Sequence, residues 1–290
     1  LGKIPRINYR GQELLAPKTD LVFKALLTAG GDLELLASLL SSILDLDIGT
    51  EDVAVMNTEL PRTHEKGKLS SVDVRVKLAD GKQANVEIQV EDEHNMEKRS
   101  IFHASKLYAD QMEPGMDYKG ICPAISINIL DFAFLPFEGY HNRYRLKNIW
   151  NGHELTDAFE IQFLELPKVP RKAGNSMIEL WLLFFAARSG EDLDMLAERE
   201  PIFEKALDRL VYVSADERLR YELDMREKFE LDHLAGLAAR ERKGREEGRE
   251  EGREEGIEIG IERGVAIGKK TLKVALRKTL RKSHAGRSSK

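Results

Sequence analysis

Two acidic side chains, Asp73 and Glu87, stand in a stretch whose spacing brings them face to face. In residues 71–91, SVDVRVKLADGKQANVEIQVE, Val72, Val74, Val76 and Leu78 alternate with polar residues, and so do Val86, Ile88 and Val90. That period of two marks half-buried strands. Between them Ala79-Asp80-Gly81 is a three-residue loop with glycine where a left-handed residue is wanted. If Leu78 pairs with Lys82, then Val74 meets Val86, Val72 meets Ile88, Asp73 falls opposite Glu87 and Ser71 opposite Gln89. A slip of one residue would set Val74 against Glu87, which a buried apolar face forbids. Directly opposed side chains have Cβ atoms about 5 Å apart. Two carboxylates at that distance repel unless a proton or a cation lies between them, and oxygen-only ligands suit Mg²⁺ or Mn²⁺. The competing reading is a solvated hairpin face whose acids splay into water, and the hairpin alone does not choose between the two.

The flanking elements must position this hairpin. Residues 1–16 read as an irregular arm. Pro17-Lys18-Thr19-Asp20 opens a helix, with Thr19 or Asp20 as cap and Gly30-Gly31 as its end; Asp32 caps a second helix running to about Leu44. Val53 and Val55 suggest a short strand, followed by a polar loop with Arg62, His64, Lys66 and Lys68. After the hairpin a helix is expected from Asn95 or Glu97 to Met112, with Met96, Ile101, Phe102, Leu107 and Met112 turned inward and Lys98, Arg99 and Lys106 elsewhere. The near-continuous apolar run over 121–130 has the pattern of a central strand buried on both faces. Strand–helix–strand order implies a crossover and a mixed sheet, hence an α/β fold. A second hairpin is expected within 140–166, and helices over 177–188, 191–198, 202–213 and 216–242.

Composition sets outer bounds. Of 290 residues 42% are apolar, enough for a core, while 33% are charged, which suggests an extended solvated segment. That segment begins at Gly244, where glycine recurs every four residues to Gly268 between charged or apolar triplets. Each such glycine costs about 1 kcal/mol in a helix relative to alanine, and Glu–Arg ladders return only about 0.2–0.5 kcal/mol per pair, so a frayed helix is expected unless a partner packs on it. Beyond it Lys269, Lys270, Lys273, Arg277, Lys278, Arg281, Lys282, Arg287 and Lys290 form a basic tail. The formal net charge is −5, so a nucleic-acid partner has to meet a local basic surface. Cys122 is the single cysteine, which rules out a disulfide framework or a thiolate metal site and fits a reducing cytoplasm. His64, His94 and His103 have no zinc-ligand spacing, and the longest apolar run, 180–187, is too short to span a bilayer, so no membrane partner is expected.

Taken in order, several of these stretches resemble one family. The Pro17-Lys-Thr-Asp20-Leu-Val-Phe23-Lys24 opening, the Asp73…Glu87-Ile-Gln89 hairpin, the Lys98-Arg99 helix start, Leu107-Tyr-Ala-Asp-Gln111…Gly115…Tyr118 and Pro123-Ala-Ile-Ser-Ile are similar to the Rpn recombination-promoting nuclease / putative transposase family, a branch of the PD-(D/E)XK nuclease superfamily. The resemblance covers about 14–240 and implies a restriction-endonuclease-like core, a mixed sheet flanked by helices, with metal-dependent endonuclease activity on DNA. It matches Asp73 to the family's metal-binding aspartate and Glu87 to the acid of its E-x-Q element, with Gln89 where many superfamily members carry lysine. Asp73, Glu87 and the Ile88 carbonyl are then the expected ligands of Mg²⁺ (or Mn²⁺), and Gln89 orients the attacking water without supplying a lysine's charge. Asp20 and Lys24 are accessory candidates, and Lys98 and Arg99 candidates for a DNA phosphate. His103 departs from the pattern, which usually has tyrosine there. The expected division is an arm (1–16), a nuclease-like core (17–170), its helical continuation (171–243), the glycine-spaced helix or linker (244–268) and the basic tail (269–290), with homo-oligomerisation through the C-terminal region. A nuclease fold that binds DNA without cutting it, or a self-assembling scaffold, are the alternatives.

Overall fold

The structure is a computed structural model that describes residues 4–56, 73–171 and 176–285, with side chains described except at 230 and 278–285. β1 (Arg6–Tyr9) and β2 (Gln12–Leu15) pair antiparallel through a turn at Arg10-Gly11, both residues at positive φ. The expected irregular arm is therefore a hairpin. Its strands are four residues each, too short for alternation to declare itself, yet Ile7, Leu14 and Leu15 are buried in the main core. α1 (Asp20–Thr28) follows, then α2 (Glu34–Leu44); Gly30 and Gly31, both at φ 73°, make the bend between them. α2 starts one residue later than Asp32 as cap would have it, but the Asp32 carboxylate still accepts the Glu34 N–H at 3.1 Å.

β3 (Val53–Val55), β4 (Val74–Leu78), β5 (Gln83–Gln89), α3 (Met96–Ala109), β6 (Ala124–Leu130), β7 (His141–Lys147) and β8 (Glu154–Glu165) come next. Among the described residues one six-stranded sheet runs in the order β3-β4-β5-β6-β8-β7. β5, β6 and β8 are parallel and the other pairs antiparallel, so the sheet is mixed and α3 is the crossover between β5 and β6. All seven residues of β6 are buried, as the unbroken apolar run demanded.

The two faces of the sheet are covered differently. One carries Val74, Val76, Val86, Ile88, Ile127 and Ile129 into the main core with α1 and α2. α4 (Met177–Phe185), α5 (Gly190–Arg199) and α6 (Pro201–Ala215) complete that core, with Trp181 packed 4.9 Å from Phe203. Burying one such aromatic contributes about 1.5–3 kcal/mol. On the other face α3 sets Met96 and Ala104 against Leu130, Ile161 and Phe163. Ile101 and Phe102, expected inward, are instead exposed, Phe102 by 64%. The residues that share the inner face of α3 are Met96, Arg99, Ser100, His103, Ala104 and Leu107, spaced three and four apart, and phase decides over side-chain type.

α7 (Glu217–Ala285) buries Leu219 and Leu223 in its first turns. The chain divides into two compact units, Leu1–Lys228 and Phe229–Lys290. In the second unit the helix continues through every glycine of the repeat without a break and is exposed over 231–277. Among the described residues no single helix is long and apolar enough to cross a membrane.

Candidate active site

β4 and β5 adopt the pairing that matches their apolar faces. Val74 partners Val86, Lys77 partners Gln83, and Leu78 N–H donates to Lys82 O at 2.8 Å. Gly81, at φ 87°, closes the loop, and a Cβ there would fall 2.6 Å from Cys122 Sγ. Continuing the same antiparallel count by one residue sets Asp73 across from Glu87. Ser71 and Val72, and the loop with Arg62, His64, Lys66 and Lys68, lie outside the described residues. Asp73 and Glu87 are only 3% and 4% exposed, so neither carboxylate splays into water.

Each acid has cationic neighbours. Asp73 Oδ2 accepts from Arg75 Nε at 2.8 Å. Lys24, on α1, is 1% exposed; burial holds its pKa below the usual lysine range, the Asp73 charge works against that and the Arg75 charge with it. A buried lysine is rare without such a partner. Glu87 Oε1 lies 3.6 Å from Arg99 Nε, an ion pair without a hydrogen bond, and both its oxygens are buried with no hydrogen-bond partner among the described residues. Burial drives the Glu87 pKa up; Arg99 and His103 pull it back, and Asp73 adds to the rise.

The rest of this face separates satisfied groups from unsatisfied ones. Asn128, beside Glu87 on β6, accepts from Ser100 Oγ at 3.0 Å and donates to Gln162 O at 3.0 Å. Asn85, two residues before Glu87, has neither end of its buried amide bonded among the described residues. Buried groups left without partners are uncommon and call for an explanation.

The expected site residues fall into two groups. Asp73, Glu87, Lys24 and Arg99 come together. Gln89 is two residues along β5 from Glu87, with its amide donating to Glu91 O at 3.2 Å, and the Ile88 side chain points into the main core. Asp20 accepts from Arg226 at 2.8 Å and from the Leu21 N–H at 2.7 Å, and the helix cap is Thr19. Lys98 is exposed, one residue off the inner phase of α3. Arg75 and Asn85 are not among the expected site residues, and His103 stands in the sequence only as a departure from the family pattern. Arg75 and Asn85 share the acids' strand parity, and His103 follows Arg99 by one helical turn.

A family model described as PD-(D/E)XK nuclease family transposase matches residues 17–240. This chain belongs to that family. No curated protein and no solved structure matches it. As a PD-(D/E)XK nuclease family transposase it has the expected α/β architecture, a mixed six-stranded sheet flanked by helices. The family supports a role in nucleic-acid cleavage or transposition, with DNA as the implied substrate, and nucleases of this superfamily generally use divalent metal ions, although some members are inactive. The donor set fits a hard cation in kind: two opposed buried carboxylates, one with bare oxygens, and an unbonded amide oxygen nearby. It is sparse in number. Among the described residues no group of three His, Cys, Asp or Glu side chains gathers, so water and substrate oxygens would fill most positions, as Mg²⁺ sites commonly allow.

Proposed function

We propose that this chain is a Mg²⁺-dependent DNA endonuclease, with Mn²⁺ able to substitute, acting in recombination or element mobility. The observation that carries this reading is the buried Asp73–Glu87 pair, with neither Glu87 oxygen hydrogen-bonded among the described residues. A divalent ion there would lower the pKa of water and neutralise charge developing on the phosphate. Asp73 and Glu87 would hold the ion, in place of their present contacts with Arg75 and Arg99. Gln89 holds the attacking water by hydrogen bonding; its present bond to the Glu91 carbonyl is exposed and is given up at little cost. Lys24 supplies the positive charge that Gln89 lacks, and its burial makes that charge more effective than it would be in water. Arg99, 3.6 Å from Glu87, would be placed to meet a phosphate oxygen if the ion took its place there.

A second reading has its own observation. Arg75 and Arg99 already lie within ion-pair distance of the two acids, so the fold can stand without an ion and bind DNA without cutting it. A plasmid-nicking assay with Mg²⁺ separates the two. Nicking by the wild type that needs the ion and vanishes in Asp73→Ala supports the nuclease. DNA binding without ion-dependent nicking supports the second reading, and nicking that survives Asp73→Ala removes the site proposed here.

A further inference from the structure

Two neighbouring faces of α3 carry different side chains. The inner one brings Arg99 and His103 to Glu87, and the next one leaves Lys98, Phe102 and Lys106 in solvent. These three are four residues apart, so at about 100° per residue they span only about 80° of the helix surface. Continuing round in the same direction reaches Arg99 and then His103, so the stripe borders the site. Phe102 is 64% exposed, and its ring meets the His103 ring edge-on with centroids 5.8 Å apart. His103 in turn is one of the two groups that pull the Glu87 pKa down.

We propose that this face holds single-stranded DNA beside the site, with the Phe102 ring stacked on an unpaired base and Lys98 and Lys106 on backbone phosphates to either side. The substrate class is then DNA with an unpaired base next to the cleavage position. The proposal rests on the reading of DNA as this chain's substrate, but not on the DNA being cut.

A single exposed aromatic side chain needs no explanation. Phe102 differs in its company, a lysine one turn away on each side and a buried carboxylate pair at its edge. Ile101, the other large apolar side chain exposed on α3, falls beyond Lys98 on the side away from Arg99, and Glu97 lies further still in that direction. The arc from Lys98 to Arg99 therefore contains no acid. The formal net charge of −5 gives DNA no general attraction, so an acid-free local stripe is where a strand can settle. A ring between cations suits a single strand, since every base has a face to stack and every phosphate a charge to meet. In a paired duplex the base faces already cover one another, and opening them costs energy. Lys98 and Lys106 are about 12 Å apart along the helix at 1.5 Å per residue, which leaves room for a base between two phosphates.

Fluorescence anisotropy on the full chain in EDTA tests it, with a labelled oligothymidylate and a fully paired duplex of the same length. Phe102→Ala should weaken single-strand binding about tenfold and leave the slope of log affinity against log salt unchanged, because a stack and not a charge is lost. Its duplex binding should change by less than about twofold. Lys98→Met and Lys106→Met should each make the single-strand slope shallower by about 0.7. Phe102→Trp should bind the strand as the wild type does, with its added fluorescence quenched, which separates lost stacking from lost folding. Single-strand affinity unmoved in Phe102→Ala, the result if this face takes a protein instead, overturns the proposal. So does an equal loss on the duplex, an unchanged slope in both lysine variants, or added Phe102→Trp fluorescence that the strand does not quench. A wild type that binds neither DNA overturns DNA as the substrate along with it. Binding as expected without Mg²⁺-dependent nicking supports this face and removes only the nuclease.

Discussion

Two glutamates lie at nearly the same depth in one sheet and are wired in opposite ways. Glu87 on β5 and Glu160 on β8 are 4% and 2% exposed. Glu160 accepts from Arg143 Nε at 3.0 Å, from Arg145 Nε and from Gln162 Nε2 at 2.5 Å. Burial pushes its pKa up, but the hydrogen bonds from Arg145 and Gln162 and the Arg143 charge outweigh it, and the group ends below the usual glutamate range. Among the described residues Glu87 has only the long 3.6 Å ion pair with Arg99, and burial outweighs Arg99 and His103, so it ends above that range. A buried carboxylate fully bonded to protein stabilises the fold and has nothing left to offer a ligand. One with bare oxygens costs stability and stays available. Depth alone therefore does not mark a functional acid; unspent bonding capacity does.

The sharpest way to break this contrast is to remove each charge in turn. Glu87→Gln should lower Mg²⁺-dependent cleavage about a thousandfold while leaving the urea midpoint unchanged or higher. Glu160→Gln should keep cleavage near wild type and lose about 2 kcal/mol in the same unfolding measurement, because two arginines lose their shared acceptor. If the two variants exchange phenotypes, the assignment of roles is wrong.

Much of the Glu87 site was legible in the sequence, and the reasons are particular. Strand parity and the Ala79-Asp80-Gly81 loop set the register, because a slip would expose the valines on one face and bury Glu87 on it. The family pattern added Lys24 and Arg99. Misreadings came where type and phase disagreed. Ile101 and Phe102 look like core by type, yet the helix turns Ser100, His103 and Ala104 inward, since Ser100 meets a buried Asn128 rather than an apolar wall. Asn85 and Arg75 could have been found by extending the acids' parity one pair further along the hairpin. The bonding around Glu160 could not, because the register shifts between Arg145 and Lys147 separate the hairpin's turn from the regular stretch that sets Arg145 opposite Glu160, so counting from the turn gives the wrong partner.

Acidity separates the two glutamates with opposite signs. Glu87 titrates above its ordinary value of 4.5 in the folded protein, so its share of stability is present below 4.5 and lost as pH rises through the raised value. Glu160 titrates below 4.5, so its share is present above 4.5 and lost as pH falls through the depressed value. Urea unfolding across acid to neutral pH should therefore show Glu87→Gln relieving a loss of stability on the alkaline side of 4.5 and Glu160→Gln removing a gain there. Mn²⁺ binding, followed by calorimetry, should weaken about tenfold per pH unit once pH falls below the raised Glu87 midpoint, because proton and ion compete for the same oxygens. An affinity that stays flat through that range would mean Glu87 is not a ligand.

The cations beside the two acids should differ in the same sense, with smaller effects. Lys24 is buried and its pKa depressed, chiefly by burial, so carrying its charge at neutral pH costs stability that Asp73 only partly returns. Lys24→Met keeps length and apolar volume, and Asp73 retains Arg75, so stability should change by less than about 1 kcal/mol. Cleavage should nevertheless fall about tenfold, since a desolvated positive charge near the phosphate is removed. Arg145→Met should do the reverse, destabilising through Glu160 while leaving cleavage alone. The informative quantity is the ratio of the two effects in each variant. If Lys24→Met loses more stability than Arg145→Met and no activity, then Lys24 is a structural counter-ion like Arg145. The charge missing at Gln89 must in that case come from Arg99, the remaining cation of the site that lies within ion-pair distance of Glu87.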